Sequence, residues 1–562
     1  MPNTKLRRRF VDMLILAILV MVVAIPGLSG LPVIDRDEAR YAQASVQMIE
    51  TGDYVNISFQ DRARNKKPAG AYWAQALSVK AFSKVERRDI WAHRIPSVLG
   101  ALLAIWACYL GGISMVGRQA ALFGAALLAT SMMLIFEAHM AKTDALLLGF
   151  GTLVLVALGS LRNRGSRGAA LLFWGALGCA VMIKGPILPL LVILCFATLF
   201  IWERKISWTR PLGFWLGPVL FCAIVLPWTI LMWQDTGSAF FTQAIGEDLL
   251  PKLQGGHEKH SGVPGYYLLT TWLAFWPACL FLLPGLAFAF RSGRGKNGFD
   301  SPIAKAARLL LCWSIPFFIL LEITPTKLPH YTLPVFPAFA LMSGVTIVAL
   351  SKVDEFKFSR RIGAVIFIGS SIVLHTALLV AEAYYGDFPR YGLIVLGLAA
   401  LSSFYAGVKL WGGLTTRAFY GGVMAALLTN IFTYQFTLPN LQSMHISKRV
   451  ETALRSAGIN PAKTNIYSSQ YKEPSLVYRL GTHITLGEST DKYTPNLTDI
   501  VILDRARDEA KAKEANMLKL MTIQNMCFES LGGVEGFNYA KGRKVSLELL
   551  QIRDCAAKTE SE

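Results

Sequence analysis

Long apolar segments dominate the first 436 residues of this chain. Each approaches the ~20 residues that a helix needs to cross a bilayer. Only 17% of the 562 residues are charged and 53% are hydrophobic, which disfavours a soluble protein of this length. The sequence therefore predicts a mainly α, polytopic membrane protein with about thirteen transmembrane helices. The segments lie near residues 11–30, 94–115, 119–136, 145–161, 168–183, 186–202, 213–233, 265–290, 307–322, 332–350, 362–380, 391–410 and 418–436.

Basic residues between these segments indicate the orientation. The N-terminus is basic, and so is every second connection after it, as the positive-inside rule requires of cytoplasmic loops. These basic residues are Lys5, Arg7, Arg8 and Arg9, then Arg118, then Arg162, Arg164 and Arg167, then Arg204, Lys205 and Arg210, then Arg291, Arg294 and Lys296, then Lys352, Lys357, Arg360 and Arg361, then Lys409 and Arg417. An odd number of helices then places the N-terminus in the cytoplasm and the C-terminal region outside it. The net charge of +19 is explained by these loops and by an anionic lipid partner better than by nucleic acid.

The pattern changes near residue 439, which predicts two domains. Residues 1–438 form the transmembrane domain, and residues 439–562 form a small α/β domain of short strands and amphipathic helices. The predicted strands are Thr464–Ser468, His483–Leu486 and Asp499–Leu503, and the predicted helices are Ile446–Ala457, Pro474–Leu480 and Arg505–Leu520. Within the first domain, residues 31–93 form a large outer loop. The segments Asp37–Glu50 and Pro68–Phe82 are too short and too amphipathic to span, so we expect helices that lie at the membrane interface.

This outer loop carries both an acidic and a basic cluster on the side of the membrane where basic residues are scarce. Asp37 is the candidate base, because a carboxylate can orient or deprotonate an acceptor. The alternative is that Asp37 caps the following helix. Lys67, in the cluster Arg62–Lys67, is the candidate phosphate ligand, because lysine binds phosphate as a compact charge. The alternative is that this cluster only contacts anionic headgroups.

Further polar residues occupy the other outer connections, and loops after separate helices can converge on one cavity. Asp144, like Asp37, is either a site residue or the cap of the helix that follows it. His260 and His330 could bind metal or substrate, but no ligand spacing supports a metal site, so we expect no cofactor. The polar residues of these connections are Glu137, His139, Lys142 and Asp144, then Lys184, then Glu247, Asp248, Lys252, His257, Glu258, Lys259 and His260, then Lys327, His330 and Tyr331.

Several of these motifs together resemble GT-C glycosyltransferases of the bacterial aminoarabinose transferase and protein O-mannosyltransferase type. They follow the family's order along most of the chain. The first-loop motif and the Lys327–Tyr331 motif are specific, whereas Lys-Gly-Pro alone is weak. The matching motifs are Asp37–Ala42 with Gly52 and Asp53, Lys67-Pro68 with Tyr72-Trp73, Lys184–Pro186, Lys327–Tyr331 with Leu333-Pro334, and Glu473–Leu476 with Tyr478.

The resemblance implies a bacterial inner-membrane enzyme with a periplasmic C-terminal domain. Such an enzyme moves a sugar from a polyprenyl-phosphate donor to lipid A, another glycan or a protein. Asp37 is then the catalytic carboxylate, and Lys67, Arg40, Tyr41 and Lys66 bind the donor phosphate. The implied substrate pocket contains Asp144, Lys184, His260, Lys327, His330, Tyr331 and Glu473.

Alternatives remain open within and outside this class. Lys66 stands where many aminoarabinose transferases have glutamate, and Pro251-Lys252 stands where an Arg-Phe pair is common. A uronic acid or hexose donor, or a protein acceptor, therefore stays an alternative. A lipid flippase or transporter is a more remote one, because it predicts ionisable residues near the bilayer midplane in broken helices. A sensor with an external domain is a third alternative, but it would give the charged residues of the five outer connections no role.

Overall fold

The computed structural model describes residues 2–251, 262–295, 298–350, 356–386, 390–487, 496–506 and 526–555. These residues form a large helical body and a small domain built on a mixed sheet. The α-helices are α1 Pro2–Ala24, α2 Asp37–Thr51, α3 Gly70–Phe82, α4 Ile90–Val116, α5 Arg118–Ala129, α6 Met132–Ala138, α7 Asp144–Arg164, α8 Arg167–Lys184, α9 Ile187–Glu203, α10 Leu216–Thr236, α11 Ala239–Phe241, α12 Tyr266–Ala274, α13 Leu282–Gly293, α14 Pro302–Ile323, α15 Phe336–Leu350, α16 Lys357–Tyr385, α17 Arg390–Trp411, α18 Thr415–Ile431, α19 Leu438–Asn440, α20 Ile446–Ser456 and α21 Pro474–Leu480.

The membrane-spanning character of the body is clear from its helices. Eight described helices are long and apolar enough to cross a bilayer, and two bent pairs bring the number to ten. The bent pairs are α5 with α6 and α12 with Ala278–Gly293. Each of the thirteen predicted segments contains helix. However, α1, α9 and α18 are not among the ten described spans that are long and apolar enough to cross a bilayer. A polytopic helical protein is therefore confirmed, and the number thirteen stays a prediction.

Small residues let α4 and α7 pack closely. A Cβ on Gly100 would lie 2.7 Å from the carbonyl oxygen of Ala145, and one on Gly149 would lie 2.8 Å from the carbonyl oxygen of Gly100. Close backbone approach through small residues is the usual way in which membrane helices pack. This contact fixes the first turn of α7, where Asp144 is located, against α4.

The first outer loop packs differently along its two helices. Most of α2 is buried by protein, including the polar side chains of Gln43, Ser45 and Gln47. In contrast, α3 exposes Leu77 and Phe82, an apolar face suited to lipid contact. Between them, strands β1 Ser58–Phe59 and β2 Arg62–Ala63 form a short antiparallel hairpin.

The C-terminal domain is a five-stranded mixed sheet covered by α20 and α21. Its strands have the order β4-β3-β5-β7-β6, with β3 parallel to β4 and β5, and β7 antiparallel to β5 and β6. The strands are β3 Ile466–Ser468, β4 Thr485–Leu486, β5 Ile500–Asp504, β6 Met526–Asn538 and β7 Arg543–Asp554.

The sequence predicted α20, α21 and the first three of these strands, but it did not predict the long hairpin of β6 and β7. The sequence pattern that could have predicted this hairpin is the alternation in β7, where buried Val545, Leu547 and Leu549 alternate with more exposed residues. The predicted helix Arg505–Leu520 lies almost entirely outside the described residues.

Candidate functional site

A buried ion pair anchors the start of the first outer loop. Arg94 in α4 donates to both carboxylate oxygens of Glu38, at 2.8 and 2.9 Å. Its remaining N–H groups donate to the carbonyl oxygens of Leu28, Leu31 and Pro32. Glu38 also accepts hydrogen bonds from two backbone N–H groups, those of Ile34 and Ala141. Both side chains are fully buried, so this network fixes the loop to the helical body.

Asp37 is the neighbour of Glu38 but points the other way. Its side chain is 54% exposed, and the nearest paired cation is Arg40 at 3.8 Å. The residue is the first of α2, whereas the N-cap position is Arg36 and shows no side-chain capping bond. The structure therefore does not support the alternative that Asp37 caps the helix. Its carboxylate faces outward at the positive end of the helix dipole.

Cations around Asp37 keep it ionised. Partial burial disfavours the charged carboxylate, but Lys142, Arg64 and Arg40 favour it, and together they lower the pKa of Asp37 below its usual value. The carboxylate is thus negative throughout the physiological pH range. An anion surrounded by cations can orient a polar group and can stabilise developing positive charge.

Two further carboxylate–lysine pairs lie beside Asp37, where the ends of α6 and α8 meet the start of α7. Lys184, the last residue of α8, lies 2.5 Å from Asp144, the first residue of α7. Lys142 lies 2.9 Å from Glu137, and all four side chains are buried or nearly so. Burial lowers the pKa of Lys142, but Glu137, Asp144 and Asp37 outweigh it and raise that pKa. Asp144 therefore pairs with lysine, and the N-cap position of α7 is Thr143, whose side chain makes no capping bond.

His330 and Tyr331 close this cluster from the loop before α15. The Nδ1 of His330 lies 3.8 Å from Glu137, and its Nε2 lies 3.9 Å from Asp144. The ring of Tyr331 lies over Lys184, with 5.5 Å from Nζ to the ring centroid. Residues from α6, α7, α8 and this loop thus share one charged cluster, although they are far apart in the sequence.

An arginine and two tyrosines border the cluster on the side of the first outer loop. The rings of Tyr41 and Tyr72 stack at 4.8 Å, and the Nε of Arg64 donates to the hydroxyl of Tyr72 at 3.2 Å. Arg64 also lies over the ring of Tyr41. Burial raises the pKa of both tyrosines, so both hydroxyls stay protonated and can donate hydrogen bonds at neutral pH.

Lys66 and Lys67 lie in the turn between β2 and α3, both partly buried. The structure places this turn close to the end of α8. A Cβ on Gly70 would lie 2.7 Å from the carbonyl oxygen of Met182, two residues before Lys184. The basic turn is thus adjacent to the helix that supplies Lys184.

Two predicted site residues, Lys327 and Glu473, have other surroundings. Lys327 donates to the carbonyl oxygens of Leu321 and Glu322 at the end of α14, each at 2.6 Å. Glu473 is buried in the C-terminal domain, where it accepts a hydrogen bond from Asn538 and faces Arg36. His260 lies outside the described residues.

The sequence indicated Glu137 and Lys142 only as polar residues of a connection and Arg64 only as part of the basic cluster, and none of the three was predicted as a site residue. The available signal was the density of charge in the short connection 137–144, between two apolar segments. Within the part of the chain that the structure describes, no three His, Cys, Asp or Glu side chains are grouped so that they could hold a metal ion. The absence of a cofactor stays a prediction.

Comparisons with known proteins support the resemblance seen in the sequence. The family model "Dolichyl-phosphate-mannose-protein mannosyltransferase" matches residues 13–239. The chain is 29% identical over 318 residues to an "Undecaprenyl phosphate-alpha-4-amino-4-deoxy-L-arabinose arabinosyl transferase" of Pseudomonas aeruginosa, covering 56% of this chain and 55% of that protein. The chain thus spans about half the length of this curated relative. It is 25% identical to the Edwardsiella ictaluri protein of the same description, with 79% of each covered.

Two solved structures have folds similar to that of this chain. The chain matches the crystal structure of ArnT from Cupriavidus metallidurans bound to undecaprenyl phosphate with a TM-score of 0.71 and 20% identity, over 95% of this chain and 97% of that one. It also matches the Archaeoglobus fulgidus oligosaccharyltransferase with a TM-score of 0.51 and 12% identity, over 85% of this chain and 64% of that one. The predicted resemblance to GT-C glycosyltransferases is confirmed.

Proposed function

We propose that this chain is a membrane glycosyltransferase that moves a sugar from a polyprenyl-phosphate donor to an acceptor outside the cytoplasm. The observation that carries the proposal is the exposed carboxylate of Asp37 among Arg40, Arg64 and Lys142. The Asp144–Lys184 pair lies beside it. A reactive carboxylate and phosphate-binding cations are the two parts that such a transfer needs.

The chemistry follows from these charges. A bond forms between the acceptor oxygen and the anomeric carbon of the sugar, and the bond from that carbon to the phosphate oxygen of the carrier breaks. Lys67, Lys66, Arg40 and Tyr41 bind the phosphate and stabilise the negative charge that it gains on leaving. Asp37 orients the acceptor and takes its proton where the acceptor is a hydroxyl.

The other pocket residues have supporting roles in this proposal. Lys184 is held by Asp144, so its position is fixed before substrate arrives, and His330 lies 3.8 Å from Glu137 and 3.9 Å from Asp144. Fixed dipoles and charges need no reorganisation during the reaction. Tyr331 lies on Lys184 and forms a wall of the same pocket. His260, Lys327 and Glu473 stay proposed pocket residues on the resemblance alone.

The proposed substrates are an undecaprenyl-phosphate aminoarabinose donor and lipid A as acceptor. The names of the Pseudomonas and Edwardsiella relatives support the donor. A uronic acid or hexose donor and a protein acceptor are the alternatives, and the mannosyltransferase family model supports the latter. The proposed location is the bacterial inner membrane, with the N-terminus cytoplasmic and the C-terminal domain periplasmic, because the predicted inner loops are basic.

Mass spectrometry of lipid A and of envelope glycoproteins tests this proposal directly. Cells that lack the gene are compared with cells complemented by the wild-type chain and by Asp37→Asn. We expect a sugar on lipid A in the wild-type cells alone, and the mass increment identifies the sugar. A sugar on protein instead selects the alternative acceptor. Identical lipid A and glycoproteins in all three strains would contradict a transferase.

The role of Lys67 is tested separately. Lys67→Ala is expected to weaken donor-lipid binding by roughly 1.5–3 kcal/mol, the usual contribution of a hydrogen bond to a charged group. The loss should be about equal in nanodiscs of neutral and of anionic lipid, because the lysine contacts the donor phosphate itself. Donor affinity of the purified full-length protein is the measurement.

Lys80→Ala is the matched control, since Lys80 is an exposed lysine of α3 that contacts the ring of Tyr54. It should leave donor affinity unchanged. A Lys67→Ala effect that vanishes in neutral nanodiscs would favour the headgroup alternative.

A further inference from the structure

The segment that leads into Asp37 is held by the C-terminal domain as well as by Arg94. The Oδ1 of Asp35 accepts the backbone N–H of Ser475 at 2.7 Å, and its Oδ2 accepts the hydroxyl of Ser475 at 2.6 Å. The backbone N–H of Asp35 donates to the hydroxyl of Tyr539 at 2.6 Å. Three hydrogen bonds from two separate parts of the C-terminal domain thus converge on one residue, two positions before Asp37.

Arg36 continues the same contact. Its Nη2 donates to the carbonyl oxygen of Ala540 at 2.9 Å, and its Nε lies 3.7 Å from Glu473. Glu473 is itself held by Asn538 at 2.8 Å and by Lys541 at 3.3 Å. We call this set the domain clasp: Asp35 and Arg36 with Ser475, Glu473, Tyr539 and Ala540.

We propose that Asp35 is a positioning residue for sugar transfer: by binding Ser475 and Tyr539 it lets the C-terminal domain fix the place of the Asp37 carboxylate. The inference rests on the proposed function. The C-terminal domain then contributes to the transfer step, and Glu473 helps to hold the first outer loop through its contact with Arg36.

The place of the Asp37 carboxylate depends on the backbone that leads into it. Glu38 and Arg94 fix the loop from below, but the Asp37 side chain is more than half exposed and its Arg40 contact is long. Hydrogen bonds to a carboxylate are among the stronger ones in proteins. A shift of about 1 Å in a reacting group can cost on the order of 100-fold in rate. Releasing the clasp therefore changes turnover even where substrate still binds.

The test uses steady-state sugar transfer by the full-length protein in nanodiscs. Asp35→Ala is expected to lower kcat about 10- to 100-fold with donor KM nearly unchanged. Asp35→Asn keeps the size and both hydrogen-bonding positions, so it should retain most of the wild-type kcat. Asp89→Ala is the matched control, because Asp89 accepts the Ser83 hydroxyl at 2.6 Å within the same outer loop. It should leave kcat unchanged.

The pH profile adds a readout that a purely structural role would not move. Burial has the largest effect on Asp35 and raises its pKa to about 7, although the hydrogen bonds from Ser475 act to lower it. The charged and titratable groups that face Asp35 are Arg40 on α2 and Arg36 beside it, and Glu473, Tyr471 and Tyr539 on the C-terminal domain. Because this pKa is raised, protonation of Asp35 favours the clasp, which is strongest below about pH 7 and weakens as the pH rises above it. Wild-type kcat should therefore fall as the pH rises through 7, and Asp35→Asn, which stays neutral, should remove this fall.

Hydrogen exchange of residues 31–40 gives a readout without turnover. Asp35→Ala should speed exchange there, and Asp89→Ala should not. An Asp35→Ala protein with wild-type kcat and unchanged exchange would overturn the clasp. A loss of donor binding in place of kcat would also overturn it. If the wild-type protein transfers no sugar, the proposed function fails instead, and exchange alone then decides whether the clasp holds the loop.

Discussion

Replacing Asp37 by asparagine is expected to lower the turnover of sugar transfer about 100- to 10,000-fold, the usual range for general acid–base catalysis. Asparagine keeps the shape of the side chain but removes its negative charge and its ability to accept a proton. Donor-lipid binding should survive, because the proposed phosphate ligands Lys66, Lys67, Arg40 and Tyr41 are unchanged. The measurement is sugar transfer and donor affinity of the full-length variant in nanodiscs.

Asp61→Asn is the matched control, because Asp61 is an exposed carboxylate of the same outer loop. It should transfer sugar at the wild-type rate. Near-normal turnover of Asp37→Asn would contradict a catalytic role and leave Asp37 as a residue that only stabilises the start of α2 through the helix dipole.

The pH dependence separates Asp37 from Asp35. Because the pKa of Asp37 is lowered, its carboxylate is lost only as the pH falls below the usual value of an aspartate. Asp37 therefore contributes no change in rate near neutral pH. A fall in kcat near pH 7 that persists in Asp35→Asn would have to come from another group.

Replacing Glu38 by alanine is expected to destabilise the protein by about 3–5 kcal/mol, as is usual when one partner of a buried ion pair is removed. The variant leaves the Arg94 guanidinium charged and fully buried. Two backbone N–H groups, those of Ile34 and Ala141, lose their acceptor as well. Thermal unfolding of the full-length protein in detergent is the measurement.

Glu86→Ala is the control, because Glu86 is an exposed glutamate of the same outer loop. It should unfold like the wild type. The double variant Glu38→Leu with Arg94→Met should recover part of the loss, since an apolar pair replaces the stranded charge. A Glu38→Ala protein as stable as Glu86→Ala would mean that the ion pair is not what fixes the loop.

Asp37 and Glu38 show what the sequence alone could not predict. Asp37 and Glu38 are equivalent acidic residues by sequence, and both fall in the first turn of a correctly predicted helix. Successive residues point in different directions around a helix. One carboxylate therefore enters the protein to meet Arg94 and the other faces outward. The choice between them depends on α4, which follows more than 50 residues later.

Glu473 shows the same limit. The sequence resemblance assigns it to a substrate pocket, whereas its contacts in the structure are Arg36, Asn538 and Lys541. Two of these partners belong to the long hairpin of β6 and β7, which the sequence did not predict. The surroundings of Glu473 depend on how that hairpin and the first outer loop pack together.

The sequence by itself determined the membrane class, the apolar segments, the helices of the first outer loop and the start of the C-terminal domain. These features follow from hydropathy, periodicity and charge over short windows, which are local properties. Only the tertiary structure decided that Glu137 pairs with Lys142, that Asp144 pairs with Lys184 and that His330 lies between them. Such contacts arise where helix ends distant in sequence meet, and their geometry is set by the packing of small residues such as Gly100 between α4 and α7.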